Sequence, residues 1–241
     1  PEPVAATLGD LRSYVRATDA DLGIAHDGDG DRAMFVDERG EHIDGSATFA
    51  ALAAAELQED DGVVSAINAS QRLVDVVEAA GSTLSLTPIG STYIVSRIKE
   101  RQAEGTHVAI AGEGNGGILF PDYRIARDGG YTAARLCELL ADEPASELVA
   151  PYDDYYNVRQ NLHVDDEGDR EAMLAGIESY ATDTAADVDT TDGWRLDYGD
   201  GWVLARPSGT EPVVRVYAEA RTPERAEELA GQMVGAAERG G

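Results

Sequence analysis

Leu22-Gly23-Ile24-Ala25-His26 runs directly into Asp27-Gly28-Asp29-Gly30-Asp31-Arg32. An apolar run of strand length thus ends in three carboxylates that alternate with glycine. The run reads as a buried strand. The loop after it can turn all three carboxylates inward, because glycine tolerates a tight backbone. Three acidic groups this close repel one another unless a hard divalent cation sits among them. An EF-hand is the first comparison, since Asp27, Asp29 and Asp31 fall at its positions 1, 3 and 5 and Glu38 at position 12. Arg32 stands where that loop needs glycine, and the flanks read as strands rather than helices. An acidic surface turn is the remaining alternative.

Outward from this stretch, residues 8–15 are a short helical segment that cannot build a core alone. The chain opens on proline, and residues 1–21 read as the tail of a domain whose front is missing. Downstream, strand and helix signals alternate. Residues 33–36, 63–67, 83–86, 108–111 and 118–120 read as strands. Residues 48–57, 72–80, 93–102 and 130–140 read as helices, with Gly81 stopping the second. This alternation predicts a layered α/β domain. Residues 141–154, with Asp142, Glu143, Pro144, Pro151, Asp153 and Asp154, read as a linker. Beyond it, strands are expected over 156–164, 194–197, 202–205 and 213–219, with Asp200-Gly201 as a hairpin signal. Helices are expected over 170–180 and 223–238, the latter with Thr222 as cap and Pro223 at its first position. That pattern predicts a small α+β domain.

The 241 residues carry a formal net charge of −27. A hydrophobic fraction of 43% is enough for packed cores. The charge argues against nucleic-acid binding, which needs basic stripes to neutralise phosphates. No apolar run approaches the ~20 residues of a membrane-spanning helix, and no signal-peptide pattern is present. Cys137 is the only cysteine, which excludes an internal disulfide and fits a reducing, cytoplasmic setting. Lys99 is the only lysine against 18 arginines. With acidic groups spread along the whole chain, this reads as adaptation to a high-salt cytoplasm, where the Debye length shrinks to ~3 Å at 1 M. A solvated acidic surface is the plainer alternative.

Two further loops carry chemistry. Gly112-Glu113-Gly114-Asn115-Gly116-Gly117 follows a short apolar strand. Glu113 accepts and Asn115 both donates and accepts, which suits sugar hydroxyls. A glycine-rich turn between strands is the alternative. Arg206-Pro207-Ser208-Gly209-Thr210-Glu211-Pro212 offers a guanidinium fork, two hydroxyls and a glycine that lets amides close on an anion. Here the alternative is a tight hairpin with a solvated arginine. Ser208 has no histidine near it in sequence, so it does not read as a nucleophile.

Taken in order, the three loops resemble those of the α-D-phosphohexomutases, a superfamily of phosphoglucomutase/phosphomannomutase and phosphoglucosamine mutase. The resemblance covers essentially the whole chain and extends to residues 20–32, 87–90, Arg127-Asp128-Gly129 and 214–219. It implies three parts. Residues 1–46 would end a second domain and hold the metal loop. Residues 47–142 would be a complete α/β third domain with a mixed sheet and the sugar loop. Residues 151–241 would be a small α+β fourth domain with the phosphate loop. The family's phosphoserine lies in a first-domain loop resembling Thr-Ala-Ser-His-Asn-Pro, and no such stretch occurs here, so the chain reads as a C-terminal fragment that is inactive alone.

The resemblance further implies that Asp27, Asp29 and Asp31 hold Mg²⁺ and that Arg32 faces the transferring phosphoryl group. Glu113 and Asn115 would hold sugar hydroxyls, although many relatives have serine where Asn115 stands. Gly90 and Ser91 would belong to a further substrate loop. Arg206, Ser208, Gly209 and Thr210 would clamp the non-reacting phosphate, with Arg215 either assisting or tied in a salt bridge within the sheet. The implied partners are a hexose phosphate, its 1,6-bisphosphate and the missing N-terminal domains. The implied activity interconverts hexose 6-phosphate and hexose 1-phosphate, with glucosamine phosphate as an alternative substrate. A non-catalytic sugar-phosphate or metal-binding module is the alternative of another class.

Overall fold

The computed structural model describes residues 3–240, and the chain divides into two units, Pro1–Asp153 and Asp154–Gly241. In the first unit a helix, α1 (Gly9–Thr18), packs on an antiparallel sheet of β1 (Leu22–His26), β2 (Ala33–Asp37) and β3 (His42–Ile43). The register pairs His26 with Ala33, so the acidic loop closes a hairpin. The strand expected at 22–26 forms, but it is not buried. It lies at the sheet edge, only Gly23 is fully covered, and Ile24 is 39% exposed. Leu22 and Ala25 still pack against the neighbouring cores.

Next come α2 (Gly45–Glu56), β4 (Gly62–Ala66), α3 (Gln71–Ala79), β5 (Thr83–Thr87), α4 (Ser91–Ala103), β6 (Val108–Glu113) and β7 (Gly117–Leu119). The sheet order is β5-β4-β6-β7. The first two pairings are parallel and the last is antiparallel, which makes the sheet mixed. Loops that follow parallel strands emerge at one end of a sheet, where open α/β folds place their ligands. Those loops contain Gly90 and the Glu113–Gly117 turn. α2 begins at Gly45, earlier than the spacing predicts, because the Asp44 side chain accepts from the Ser46 amide at 2.8 Å.

Ala33, Phe35 and Ile43 of the small sheet share one core with Phe49 and Leu52 of α2, Val63, Ile110 and Ile118 of the mixed sheet, and Leu136 of α5 (Gly129–Leu139). The chain position 46/47 is therefore not a division of core. The stretch read as a linker is also structured. α6 (Ala145–Val149) and a 3-10 turn (Ala150–Tyr152) fold back on the unit. Ala145 is buried in that core, and the Ser146 amide donates to Glu38 Oε2 at 3.2 Å. Pro144 immediately precedes α6 and Pro151 lies in the first turn of the 3-10 helix, so the prolines there start helices rather than mark a solvated tether.

The second unit is a five-stranded antiparallel sheet of β8 (Tyr156–His163), β9 (Asp187–Asp189), β10 (Trp194–Asp197), β11 (Gly201–Pro207) and β12 (Val213–Ala220), in the order β8-β12-β11-β10-β9. α7 (Glu167–Asp183) and α8 (Pro223–Gly240) cover it through Ile177, Leu229 and Met233, which meet Val203, Val214 and Val216. Gly176 and Gly240 allow the two helices to touch backbone to backbone: a Cβ on Gly176 would lie 2.3 Å from Ala236 O. α/β and α+β architectures thus occur in series, as the alternation of signals predicts.

Candidate functional site

The acidic loop is held from three sides. Inside it, the Gly30 amide donates to Asp27 O at 3.2 Å, and Gly30 sits at φ +72°, where glycine is favoured. The Arg32 amide donates to Asp27 Oδ1 at 3.2 Å, and Arg32 Nε lies 3.3 Å from Asp27 Oδ2 and 3.8 Å from Asp31 Oδ1. Burial pushes the Asp27 carboxyl upward, but the Arg32 amide and guanidinium outweigh it and leave the group below its ordinary value. From outside, the Gly129 amide donates to Gly30 O at 3.1 Å, and the Ala33 amide to Gly116 O at 3.1 Å. Arg127 completes the enclosure with an ion pair from Nη2 to Asp31 Oδ2.

One carboxylate oxygen from each of Asp27, Asp29 and Asp31 lies within 4.8 Å of the others. Asp31 Oδ1 is buried and has no hydrogen-bond partner among the described residues. An all-oxygen donor set with one acceptor left over fits a hard cation such as Mg²⁺.

The glycine-rich turn abuts this loop. Glu113 ends β6 and is buried. Burial pushes its carboxyl above the ordinary value, against the opposing pull of the Arg127 cation, the Asn115 side chain and the Arg32 cation. Asn115 Oδ1 accepts from the Gly117 amide at 3.0 Å, which fixes the turn. Gly112 sits at φ +153°, and a Cβ there would meet Gly117 O at 2.6 Å. The structure thus brings Asp27, Asp29, Asp31, Arg32, Glu113 and Asn115 together. A carboxyl, an amide and two guanidiniums can orient hydroxyls and phosphoryl oxygens in one place.

Gly90 and Ser91 lie apart in the loop after β5. Gly90, at φ +139°, precedes α4 and accepts the Tyr93 amide at 3.1 Å. No contact links them to the acidic loop among the interactions described.

The arginine loop lies in the second unit, between β11 and β12. Arg206 Nε is 3.0 Å from Asp192 Oδ2, so its charge is already engaged by a carboxylate. Ser208 Oγ accepts from the Glu211 amide at 3.2 Å and the Thr210 amide at 3.4 Å. The Ser208 amide donates to Val213 O at 2.9 Å. Arg215 pairs with Glu211. A Cβ on Gly209 would meet no atom within 4 Å, so this position does not need glycine for space.

Arg127 and Gly129 have no assigned role in the sequence reading, although the Arg-Asp-Gly triplet stands out there. A Cβ on Gly129 would fall 2.4 Å from Arg32 O and 2.7 Å from His26 Nδ1. Gly129 is the point where a distant helix start meets the acidic loop, and no local pattern announces such an approach.

Three domain models of one family match the chain in series. Phosphoglucomutase/phosphomannomutase, alpha/beta/alpha domain II, matches residues 1–40. The family's alpha/beta/alpha domain III matches 44–155 and its C-terminal domain 160–236. A phosphoglucomutase/phosphomannomutase of Thermococcus kodakarensis is 40% identical over 232 residues, covering 95% of this chain and 49% of that protein. A probable phosphoglucosamine mutase of Methanopyrus kandleri is 41% identical over 239 residues, covering 97% of this chain and 51% of that protein. The solved structure of a phosphoglucomutase/phosphomannomutase family protein from Burkholderia thailandensis has a TM-score of 0.84 at 27% identity, covering 98% of this chain and 51% of that one. The chain spans about half the length of the curated relatives it matches. It belongs to the phosphoglucomutase/phosphomannomutase family of phosphohexomutases.

Proposed function

We propose that this chain supplies the metal, sugar and phosphate loops of a phosphohexomutase that interconverts hexose 6-phosphate and hexose 1-phosphate. The phosphoserine loop would come from chain outside these 241 residues. In the reaction, the serine-bound phosphoryl group passes to the free hydroxyl of the substrate: the serine O–P bond breaks, a substrate O–P bond forms, and the proton of the substrate hydroxyl is transferred to the released serine oxygen. The bisphosphate reorients, and its other phosphoryl group returns to the serine. The observation that carries this reading is the meeting of the acidic loop with Glu113 and Asn115, through Arg32 and Arg127.

Asp27, Asp29 and Asp31 would hold Mg²⁺, which when bound neutralises charge on phosphoryl oxygens. Arg32 adds a donor on the same side and offsets charge on the moving group. Glu113 and Asn115 position sugar hydroxyls, so that the reacting hydroxyl is held in reach. Arg206, the Ser208, Gly209 and Thr210 segment, and with them Arg215, would grip the phosphate that does not react. Gly90 and Ser91 would add a substrate contact at the start of α4. Phosphoryl transfer of this kind depends on positioning and charge more than on covalent help from the protein.

The choice of hexose has two readings, because relatives named for glucose or mannose phosphates and for glucosamine phosphate match about equally well. The glucose or mannose reading is preferred. The test joins these residues to a serine-loop half and assays glucose, mannose and glucosamine 1-phosphates. Turnover of none of the three contradicts the reading and favours a binding module. These 241 residues alone should show no turnover.

The charge of −27 further supports a high-salt cytoplasm as the working environment. No described helix is long and apolar enough to cross a membrane. Raising KCl from about 0.1 to about 3 M shortens the screening length from ~10 Å to below ~3 Å and should raise the melting temperature. A melting temperature that stays flat or falls with salt removes this part of the proposal.

A further inference from the structure

We infer that Arg127 is the positioning residue that sets the Asp31 carboxylate for a divalent cation, and so gives the acidic loop its preference for Mg²⁺ over larger cations. This rests on the metal reading of the loop given above.

Arg127 engages only one of the two Asp31 oxygens. Its Nη2 pairs with Oδ2, and Oδ1 is left buried with no hydrogen-bond partner among the described residues. The guanidinium therefore fixes the rotation of the carboxylate and leaves Oδ1 on the side of Arg32 Nε, which also lies 3.3 Å from Asp27 Oδ2. Arg32 Nε, at 3.8 Å from Oδ1, is too far to hold it in the same way.

Arg127 is itself fixed from outside the acidic loop. Its side chain is 19% exposed and lies against Gly117, where a Cβ would fall 2.7 Å from Arg127 Cδ and 3.1 Å from Nη1. Two residues on, the Gly129 amide is bonded to Gly30 O, and Asp128 caps α5 by accepting from the Tyr131 amide at 3.0 Å. The guanidinium is thus held between a helix start and the glycine turn, and it transmits their position to Asp31.

Charge and position make opposite demands, and they can be separated. A cation beside the carboxylates weakens every divalent ion alike, so its removal raises all affinities together. Position acts differently. Mg²⁺ demands near-octahedral oxygens at about 2.0–2.1 Å, whereas Ca²⁺ accepts six to eight ligands at about 2.3–2.6 Å in loose geometry. Loss of a fixed Asp31 therefore costs Mg²⁺ more than Ca²⁺. The Mg²⁺ to Ca²⁺ affinity ratio isolates the positioning effect.

The experiment binds Mn²⁺ to this chain in molar KCl and displaces it with Mg²⁺ or Ca²⁺, reading free Mn²⁺ by electron paramagnetic resonance. Diffuse binding is taken from Asp29→Asn. Removing a residue that orients a metal ligand changes metal affinity by about 10–100-fold, so Arg127→Met should lower the Mg²⁺ to Ca²⁺ ratio by about tenfold. Arg127→Lys should recover part of it. Gly117→Ala keeps the charge but displaces the side chain, and should show the same fall. If Arg127→Met does not fold, Gly117→Ala decides. A ratio that stays at the unmutated value, with both affinities rising together, overturns the inference and leaves Arg127 a mere charge. Equal Mn²⁺ binding by the unmutated chain and Asp29→Asn would instead show that the loop holds no metal.

Discussion

The acidic loop and the arginine loop are both glycine-containing turns that join two antiparallel strands, yet they are built on different plans. Residues 27–32 are held by partners far along the chain: Gly116, Arg127 and Gly129. Residues 206–212 are held mostly within their own hairpin, through Ser208 Oγ, the Ser208–Val213 bond and the Arg215–Glu211 pair, with the Arg206–Asp192 pair and the Val164 amide on Pro212 O as the outside contacts. The first depends on tertiary structure and the second on local sequence. A loop of the first kind fails when its supports move, while a loop of the second kind survives most changes outside its hairpin.

The largest expected difference is between two glycines. In Gly129→Ala the new Cβ meets Arg32 O and C, which are backbone and cannot yield cheaply. Overpacking of this kind costs about 3 kcal/mol. Gly209→Ala enters open space and should stay within about 0.5 kcal/mol. Urea melts of the two variants check this, and equal losses would break the contrast.

A smaller effect separates the two partners of the arginine loop. Arg206→Ala should remove phosphate binding in that unit, because it deletes the loop's guanidinium. Asp192→Asn should strengthen it by up to about fivefold, since a carboxylate 3.0 Å from that guanidinium competes with the anion at an energy of about 0.2–1 kcal/mol. Chemical-shift titration with inorganic phosphate reads both, and weaker binding in Asp192→Asn would recast that residue as a support for Arg206.

How much of this is legible in sequence follows the same divide. Asp27-Gly28-Asp29-Gly30-Asp31 and the arginine loop announce their chemistry because the donors are contiguous. Arg127 does not, because its meaning lies in a contact with Asp31 that no periodicity encodes. β3 and β9 are missed for a different reason: two or three residues, with Asp187 and Asp189 flanking Val188, are too short and polar for an alternation signal. At 145–149 the flanking prolines and acids imitate a tether, and only the burial of Ala145 reveals a packed helix.

The smallest prediction concerns pH. Hydrogen bonds to Asp61 and Asp122 hold the His107 imidazole above its ordinary value of 6.5. The folded state therefore binds this proton more tightly than the unfolded chain. Its contribution is complete below pH 6.5 and is lost as pH rises through the folded value. The ring is half-exposed, so the effect is about 0.2–1 kcal/mol. His107→Gln should flatten the pH dependence of the melting temperature across that window. An unchanged slope would assign the dependence to other groups.

The most direct test of the central claim is where a paramagnetic ion broadens the amide signals. Mn²⁺ at a small fraction of the protein concentration, in molar KCl, should first broaden residues 27–32, together with Gly116, Arg127 and Gly129. All of these should respond at once, because three distant stretches form one metal-centred site. Broadening spread over the acidic surface, or confined to 27–32 while Gly116, Arg127 and Gly129 stay sharp, would contradict it.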